Sequence, residues 1–148
     1  MGWMSPTGGS GTNWTNVQRA YDENESNFAD SNTGVGWTGW IELTVSPLLC
    51  DMIRFKVSFI PTYYSSFEAE VYYEDGYHTI YQGGVINAAW VSKDVIPGSP
   101  GQTKVVSKMR LRFLRSVPTS GKVYEVDFNQ VQSVILNIMK HYRNMRTE

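Results

Sequence analysis

The sequence predicts an all-β protein: an antiparallel jelly-roll β-sandwich with a flexible N-terminal arm and a short C-terminal helix. Three observations predict this class. Apolar and polar residues alternate through most of residues 51–128, which is the period of a half-buried strand. Glycine- and proline-containing pairs divide the alternating stretches into short segments. Aromatic residues make up 14% of the 148 residues, so rings can fill much of the core of a single domain.

The N-terminal part of the chain is polar and rich in small residues. Residues 1–12 contain the run MSPTGGSGT, which predicts a flexible arm. The jelly-roll domain is predicted over residues 13–128. It begins with NWTNVQRAYDENESNFAD (13–30), where acidic and amide residues crowd between aromatic ones. This stretch is most simply a polar loop that leads the chain into the first long strand.

Alternating stretches define the predicted strands. In DMIRFKVSF (51–59), one face carries Ile53, Phe55, Val57 and Phe59. Residues 66–83 repeat the pattern around Asp75-Gly76, a tight-turn signal that predicts a hairpin. NAAWVSKDVI (87–96) and GKVYEVDF (121–128) predict two further strands. In TKVVSKMRLRFLRSV (103–117), the predicted inward face carries Val105, Ser107, Met109, Leu111 and Phe113.

The C-terminal extension, residues 129–148, breaks this rhythm. Apolar residues recur there at helical spacing, and Asn129 is placed to cap the helix. A helix of this length is marginal alone in water, so its apolar stripe needs a partner. The predicted assembly residues are Val131, Ile135, Ile138 and Tyr142. The alternative is that VYEVDFNQVQSVI (123–135) forms one long strand.

Charge is distributed unevenly along the chain. Residues 1–103 carry a net charge of −7 and residues 104–148 a net charge of +6, although the whole chain has −1. The basic side chains of one predicted strand share a face: Lys104, Lys108, Arg110 and Arg112. Such a face can meet nucleic acid or an acidic capsid surface, but Glu68 and Glu70 on a neighbouring strand can neutralise it. We expect the second arrangement and no nucleic-acid partner.

Several classes of protein are not expected. The single cysteine, Cys50, cannot form an internal disulfide framework or a cysteine-based zinc site, and we expect it to be buried. No signal peptide or membrane-spanning run is visible. No nucleophile motif, phosphate loop, metalloprotease motif or paired-carboxylate signature is present, so an enzyme is not expected.

Six segments, in order, resemble those of the galactose-binding-like (discoidin-type) jelly-roll family. They are NVQRAYDENESNFAD, GWTGWIELTVS, CDMIRFKVSF, VYYEDGYHTIYQG, VSKMRLRFL and VYEVDF. The compact, cysteine-poor chain is similar to small β-sandwich modules found in tailed-phage particles. The terminal disulfide of the coagulation-type members is absent, and Glu23 stands where the family's first loop has glycine.

The resemblance implies a structural Ca²⁺ site and no other cofactor. In many members of this fold the first loop and the last strand hold a Ca²⁺ ion, and the matching residues are Asp22, Asn24 and Glu125. Hard oxygen ligands of this kind suit Ca²⁺. The alternative is that Asp22 and Asn24 satisfy turn amides and that Glu125 pairs with a nearby arginine.

The family also implies a ligand site at one end of the sandwich. Sugar-binding members stack aromatic rings on pyranose faces, and the candidates are Tyr63, Tyr64, Trp37 and Tyr77. The alternative for each ring is packing in the core or at its rim.

Two functions remain open at this point. The first is a non-catalytic structural or decoration protein of a phage virion, assembled as a homo-oligomer or docked on a capsid or tail. The alternative is a carbohydrate-binding module that recognises a surface glycan. The first function places the protein in the virion, and neither needs a membrane.

Overall fold

The computed structural model describes residues 2–131, and almost all regular structure in this range is strand. A single 3₁₀ turn covers Val17–Ala20. No helix in these residues is long and apolar enough to cross a membrane. The strands are β1 (Gly2–Met4), β2 (Gly8–Gly11), β3 (Trp14–Thr15), β4 (Ala29–Ser31), β5 (Gly34–Trp37), β6 (Ile41–Ser58), β7 (Tyr64–Tyr73), β8 (Gly76–Gly83), β9 (Trp90–Asp94), β10 (Lys104–Thr119) and β11 (Lys122–Gln130).

The 18-residue strand β6 belongs to both layers of an antiparallel sandwich. Its first half pairs with β10 and β2, and β10 continues to β7 and β8. Its second half pairs with β11 and β9, and β11 also pairs with β1 and β4. We call the first set layer one and the second set layer two. The predicted all-β antiparallel sandwich is confirmed.

The core lies between the layers and follows the predicted alternation. Ile53, Phe55, Val57 and Phe59 of β6 are all buried. The ring of Phe55 lies 5.0 Å from the ring of Phe67 on β7, so this contact joins the two layers. Burying one such side chain contributes roughly 1.5–3 kcal/mol, so the buried rings stabilise the sandwich together with the aliphatic side chains packed around them.

The N-terminal arm is not a loose segment in the structure. β1 pairs with β11, and β2 pairs with the first half of β6. The glycines that predicted flexibility instead permit close packing. A Cβ atom on Gly9 would lie 2.9 Å from side-chain atoms of both Leu43 and Val17. The prediction of a flexible arm over residues 1–12 is therefore wrong for residues 2–11.

A β-bulge changes the inward face of β10. Met109, Leu111 and Phe113 are buried as predicted, but Val105 is 60% exposed and Val106 is buried instead. The register of β10 against β6 shifts between Val106 and Lys108. Two steps along β10 correspond there to four along β6, from Leu48 to Thr44. Such an irregularity can reverse which face the residues before it occupy, because side chains alternate with period two.

The β7–β8 hairpin turns one residue earlier than predicted. Tyr73 pairs with Gly76, so Glu74 and Asp75 occupy the two central positions. Both have positive φ, 52° and 62°. Positive φ at both central positions is the geometry of a type I′ turn, whose twist matches the flanking strands.

The last strand runs further than predicted. Asn129 is not a helix cap, because it pairs with Met52 in the sheet. Its amide Nδ2 donates to Asp51 Oδ1 at 2.7 Å. The backbone N–H of Val131 donates to the Leu49 carbonyl at 2.9 Å, so the sandwich continues to the end of the described range. The remaining predicted assembly residues, Ile135, Ile138 and Tyr142, lie outside the described residues.

Candidate functional site

Tyr63 and Tyr64 were predicted as a ligand-binding pair, but the structure separates their roles. Tyr64 is 3% exposed, and its ring packs against Phe59 and Phe113. Its hydroxyl donates to the Ser120 carbonyl at 2.5 Å, and burial raises its pKa. Tyr64 is therefore a core residue, and its prediction as a ligand contact is wrong. Tyr63 is 44% exposed at the rim beside it.

Trp37 and Tyr77 lie at the two ends of a row on the outer face of layer one. We call this row, which consists of Trp37, Arg112, Trp40, Arg110 and Tyr77, the cation–aromatic ladder. Arg112 Cζ lies 4.1 Å from the Trp37 ring centre and 4.3 Å from that of Trp40. Arg110 Cζ lies 4.0 Å from the Trp40 ring centre and 3.9 Å from that of Tyr77. These are favourable cation–π distances.

Carboxylates neutralise the basic side chains around the ladder. Arg110 pairs with Glu70 at 2.5 Å, and Arg112 pairs with Glu68 at 2.9 Å. The predicted pairing of the basic strand with the acidic one is therefore confirmed. Lys104 and Lys108 also have acidic partners. The Tyr77 hydroxyl donates to the Glu42 carboxylate, and burial together with this bond raises the pKa of Tyr77.

The three predicted calcium ligands lie together although 101 residues separate Asn24 from Glu125. The Asn24 backbone N–H donates to Asp22 Oδ1 at 3.0 Å and to Glu125 Oε1 at 3.1 Å. Asn24 Oδ1 accepts from the Ser26 N–H at 2.9 Å, so the expected turn-amide contacts are present. The expected pairing of Glu125 with an arginine is wrong, because the nearby Arg54 pairs with Asp127.

The electrostatics of this carboxylate pair are unequal. Burial, followed by a hydrogen bond shared with Asp22, raises the pKa of Glu125 to about 8. Glu125 is only 2% exposed. Burial acts in the same direction on Asp22, but hydrogen bonds from the Asn24 amide, Glu125 and Asn27 outweigh it and lower the Asp22 pKa. The pair therefore shares one proton at neutral pH in the absence of a cation.

Two further observations bear on a cation at this loop. Asn27 Oδ1 is buried and has no hydrogen-bond partner, so one oxygen acceptor remains unsatisfied. Glu23 has a φ of 62°, the left-handed conformation that glycine adopts easily. The loop therefore keeps its turn despite the substitution. Within residues 2–131, no group of three or more His, Cys, Asp or Glu side chains is placed to hold a metal, so backbone and amide oxygens would have to complete the site.

A cleft of about 230 Å³ adjoins this loop on the outer face of layer two. We call it the Trp3–Trp90 cleft. Trp3 on β1 and Trp90 on β9 come from opposite edges of the layer, while Arg54 on β6 and Asp127 on β11 lie between them. Its lining residues are Trp3, Ser5, Glu23, Glu25, Arg54, Trp90, Glu125 and Asp127.

Arg54 is held at the centre of the cleft. Its Cζ atom lies 4.5 Å from the ring centre of Trp3 and 4.2 Å from that of Trp90. Its Nε atom donates to Asp127 Oδ2 at 2.8 Å, and a terminal nitrogen lies 2.8 Å from the same oxygen. Glu25 accepts from Trp90 Nε1 at 3.1 Å and from Lys56 Nζ at 3.0 Å. These bonds fix both the charged groups and one indole ring.

Sequence reasoning missed this cleft as a site. Trp3 falls in the segment predicted to be a flexible arm, and Trp90 is one of several aromatics near strand ends. A usable signal is present in the two central strands. Arg54 and Lys56 alternate on β6, and Glu125 and Asp127 alternate on β11, so each pair projects to one outer face. Pairing of the strands opposes these acids and bases.

Solved structures with the same architecture are sugar-binding modules. A chitosan-binding module of a chitosanase/glucanase from Paenibacillus sp. IK-5 is 15% identical and superposes with a TM-score of 0.64, covering 84% of this chain and 95% of that one. The chain has the galactose-binding-like fold. No known protein family and no curated protein matches the sequence.

Two more neighbours bind other sugars. The family 32 module of AlyQ, solved with 4,5-unsaturated mannuronic acid, is 15% identical and has a TM-score of 0.61, covering 85% of this chain and 96% of that one. The family 32 module of C. perfringens NanJ, solved with galactose, is 8% identical and has a TM-score of 0.60, covering 83% of this chain and 93% of that one. At these identities the likeness establishes the fold alone. The link to phage particles and the virion location stay predictions from the sequence.

Proposed function

We propose that this protein is a non-catalytic carbohydrate-binding module and that the Trp3–Trp90 cleft is its sugar site. The observation that carries the proposal is the cleft itself, which combines two indole rings with charged hydrogen-bonding groups in one concavity. Binding sites of this kind are concave and join apolar surface to a few fixed polar groups. The structural neighbours that bind chitosan, 4,5-unsaturated mannuronic acid and galactose support this function over the other candidates.

The side chains of the cleft match the two surfaces of a sugar ring. Indole rings offer flat apolar area to the C–H faces of a pyranose, and carboxylates accept from its hydroxyl groups. Trp90 and Arg54 are already held by Glu25 and Asp127, respectively. Such preorganised groups lose little conformational entropy when a ligand binds, which favours affinity.

The test is binding of the full chain to an array of neutral, basic and acidic glycans, followed by titration calorimetry with the best ligand. We expect Trp3→Ala to weaken binding by at least about tenfold, because central aromatic contacts dominate binding energy. Trp37→Ala on the ladder is the matched control and leaves affinity unchanged. Thermal melting checks that each variant folds. A blank array, or equal loss in both variants, overturns the proposal.

We infer that Asp22, Asn24, Asn27 and Glu125 can hold a structural Ca²⁺ ion. The loop supplies hard oxygen donors, and the buried Asn27 Oδ1 has no hydrogen-bond partner. A divalent cation would replace the proton that the two carboxylates share. The role is structural, because the ion would tie the loop at 21–28 to strand β11. Melting of the protein with and without calcium tests this inference.

Assembly is a second candidate function, favoured by an apolar groove where the described chain ends. The groove is lined largely by Met4, Val45, Pro47 and Leu48, together with Gln130 of the last strand. We infer that residues 132–148 of a second copy cover it. Light scattering then gives a mass above 16.8 kDa for the full chain, and that mass falls to the monomer value on truncation after Val131. A monomeric full chain overturns this candidate.

A further inference from the structure

We propose that the Trp3–Trp90 cleft selects basic amino sugars and discriminates against uronic acids. This inference rests on the proposed sugar-binding function and specifies the chemical class of the ligand. Three features of the cleft carry it: the state of its single arginine, the excess of carboxylates, and the position of Glu23.

The first feature is that the charge of Arg54 is already paired with a carboxylate. It is the only basic side chain in the cleft lining. Two of its nitrogens already bind Asp127, and aromatic rings lie against its guanidinium group. A guanidinium group recognises a carboxylate through a free pair of N–H donors. Asp127 already occupies one edge of the guanidinium group and neutralises its charge, so a uronic acid would gain less from Arg54 than from an unpaired arginine.

The second feature is an excess of negative charge. Four acidic residues line the cleft against one basic residue, and they are Glu23, Glu25, Glu125 and Asp127. Glu125 is protonated at mildly acidic pH because burial raises its pKa to about 8, so the excess of negative charge comes from the other three. Two of these acids have basic partners, since Asp127 pairs with Arg54 and Glu25 pairs with Lys56. A negative lining of this kind attracts a cation and repels an anion. A protonated amine on a sugar ring supplies one positive charge beside an apolar C–H face.

The third feature is the position of Glu23. Its carboxylate accepts a hydrogen bond from the Ser5 hydroxyl at 3.2 Å. Among residues 2–131, no lysine, arginine or histidine lies within ion-pair distance of it. Glu23 lines the same cavity as both tryptophans. An amino sugar stacked on an indole ring could therefore place its ammonium group against Glu23, with a charge-assisted hydrogen bond as the gain.

The experiment compares oligosaccharides of equal length by titration calorimetry with the full chain. The set contains oligomers of glucosamine, of N-acetylglucosamine and of galacturonic acid, at mildly acidic pH where the amine is protonated. We expect the glucosamine oligomer to bind about tenfold more tightly than the acetylated one, which is the effect of one charge-assisted hydrogen bond. We expect its affinity to fall as salt is added, because part of the attraction is electrostatic.

Two variants sharpen the test. Glu23→Gln keeps the shape of the side chain and removes its charge, so it should reduce the preference for glucosamine severalfold while leaving the acetylated oligomer unaffected. Asp75→Asn removes one carboxylate from the hairpin turn in layer one and should change nothing. Equal affinity for the two glucosamine forms, or tighter binding of galacturonic acid, overturns this inference but leaves sugar binding intact. Binding of no glycan, neutral ones included, overturns both.

Discussion

The outer faces of the two layers use the same side-chain chemistry in different shapes. On layer one, Arg110 and Arg112 lie against aromatic rings and pair with carboxylates of the neighbouring strand. On layer two, Arg54 lies near two tryptophans and pairs with Asp127. The second face also has a loop, residues 21–28, whose Glu23 and Glu25 help to line a cavity of about 230 Å³.

This comparison teaches that composition alone does not make a binding site. The ladder contains more aromatic and basic residues than the cleft. In the ladder, however, each arginine is matched by a carboxylate from the adjacent strand. In the cleft, the loop at 21–28 and strand β11 bring extra carboxylates around one arginine. Arginine stacked on aromatic rings occurs on both faces. The candidate site differs from the ladder because its cavity also contains extra carboxylates that can form hydrogen bonds.

The largest expected difference between the two faces concerns ligand binding by tryptophan variants. Trp90→Ala should weaken glycan binding by about a hundredfold, since truncating a central aromatic anchor costs 2 kcal/mol or more. Trp40→Ala on the ladder should leave affinity unchanged, although it also removes rings stacked on arginine. Titration calorimetry measures both. If Trp40→Ala weakens binding and Trp90→Ala does not, the assignment of the faces is reversed.

The next difference concerns calcium and pH at the border of the cleft. Burial raises the pKa of Glu125 above that of an unfolded glutamate, to about 8. Its protonated form therefore stabilises the fold below the unfolded pKa, and this contribution is lost as pH rises through about 8. Without calcium, the melting temperature should fall as the pH rises from about 4.5 to about 8.

Calcium should offset that loss by about 2.7 kcal/mol when its concentration is a hundredfold above its Kd. Differential scanning calorimetry, with and without a chelator, measures the effect. Glu125→Gln should abolish both the pH dependence and the response to calcium. An unchanged melting temperature with chelator at pH 8 would argue against a structural ion.

Two ion pairs with nearly equal side-chain exposure, one on each face, allow their contributions to the free energy of unfolding to be compared. Arg54 and Asp127 side chains are 28% and 11% exposed, and those of Arg112 and Glu68 are 28% and 10% exposed. Asp127→Ala and Glu68→Ala should each cost about 1–3 kcal/mol, because each leaves a partly buried arginine without its partner. Urea denaturation measures both costs. Only Asp127→Ala should also change glycan binding, and equal binding by both variants would contradict the comparison.

The smallest expected effect is at the rim. Tyr63→Ala removes an exposed ring that the sequence proposed as a ligand contact. Glycan affinity should stay within about twofold, because isolated rim residues contribute little to binding. Surface plasmon resonance with immobilised protein measures the ratio. A tenfold loss would instead place the sugar at this end of the sandwich.

Much of the fold was predictable because it depends on local pattern. The alternation from Ile53 to Phe59 sets which side chains are buried, and the structure confirms it. The ordered resemblance to the galactose-binding-like family also brought Asp22, Asn24 and Glu125 together correctly, although they are far apart in the chain. The burial pattern is a local property of one strand. The contact between the loop and the last strand is long-range, but the family resemblance already implies it.

The wrong predictions have one cause in common: each depends on contacts between segments that are distant in the chain. Val105 and Val106 are chemically identical, and only the irregularity within the pairing of β10 with β6 decides which is buried. Tyr63 and Tyr64 are also identical and adjacent, yet only Tyr64 points into the core. The glycines of the N-terminal segment predict flexibility when read locally, but beside Leu43 their lack of a side chain permits a paired strand.

The sequence by itself determined an all-β sandwich with an aromatic core, because period-two burial is a property of each strand alone. It also determined the acidic loop and the opposing charges on neighbouring strands. Only the tertiary structure decided that Trp3 and Trp90 flank Arg54 and that Glu23 lies beside them. The physical reason is that a cleft is made by strands and loops that are distant in the chain, and its shape depends on their register and packing.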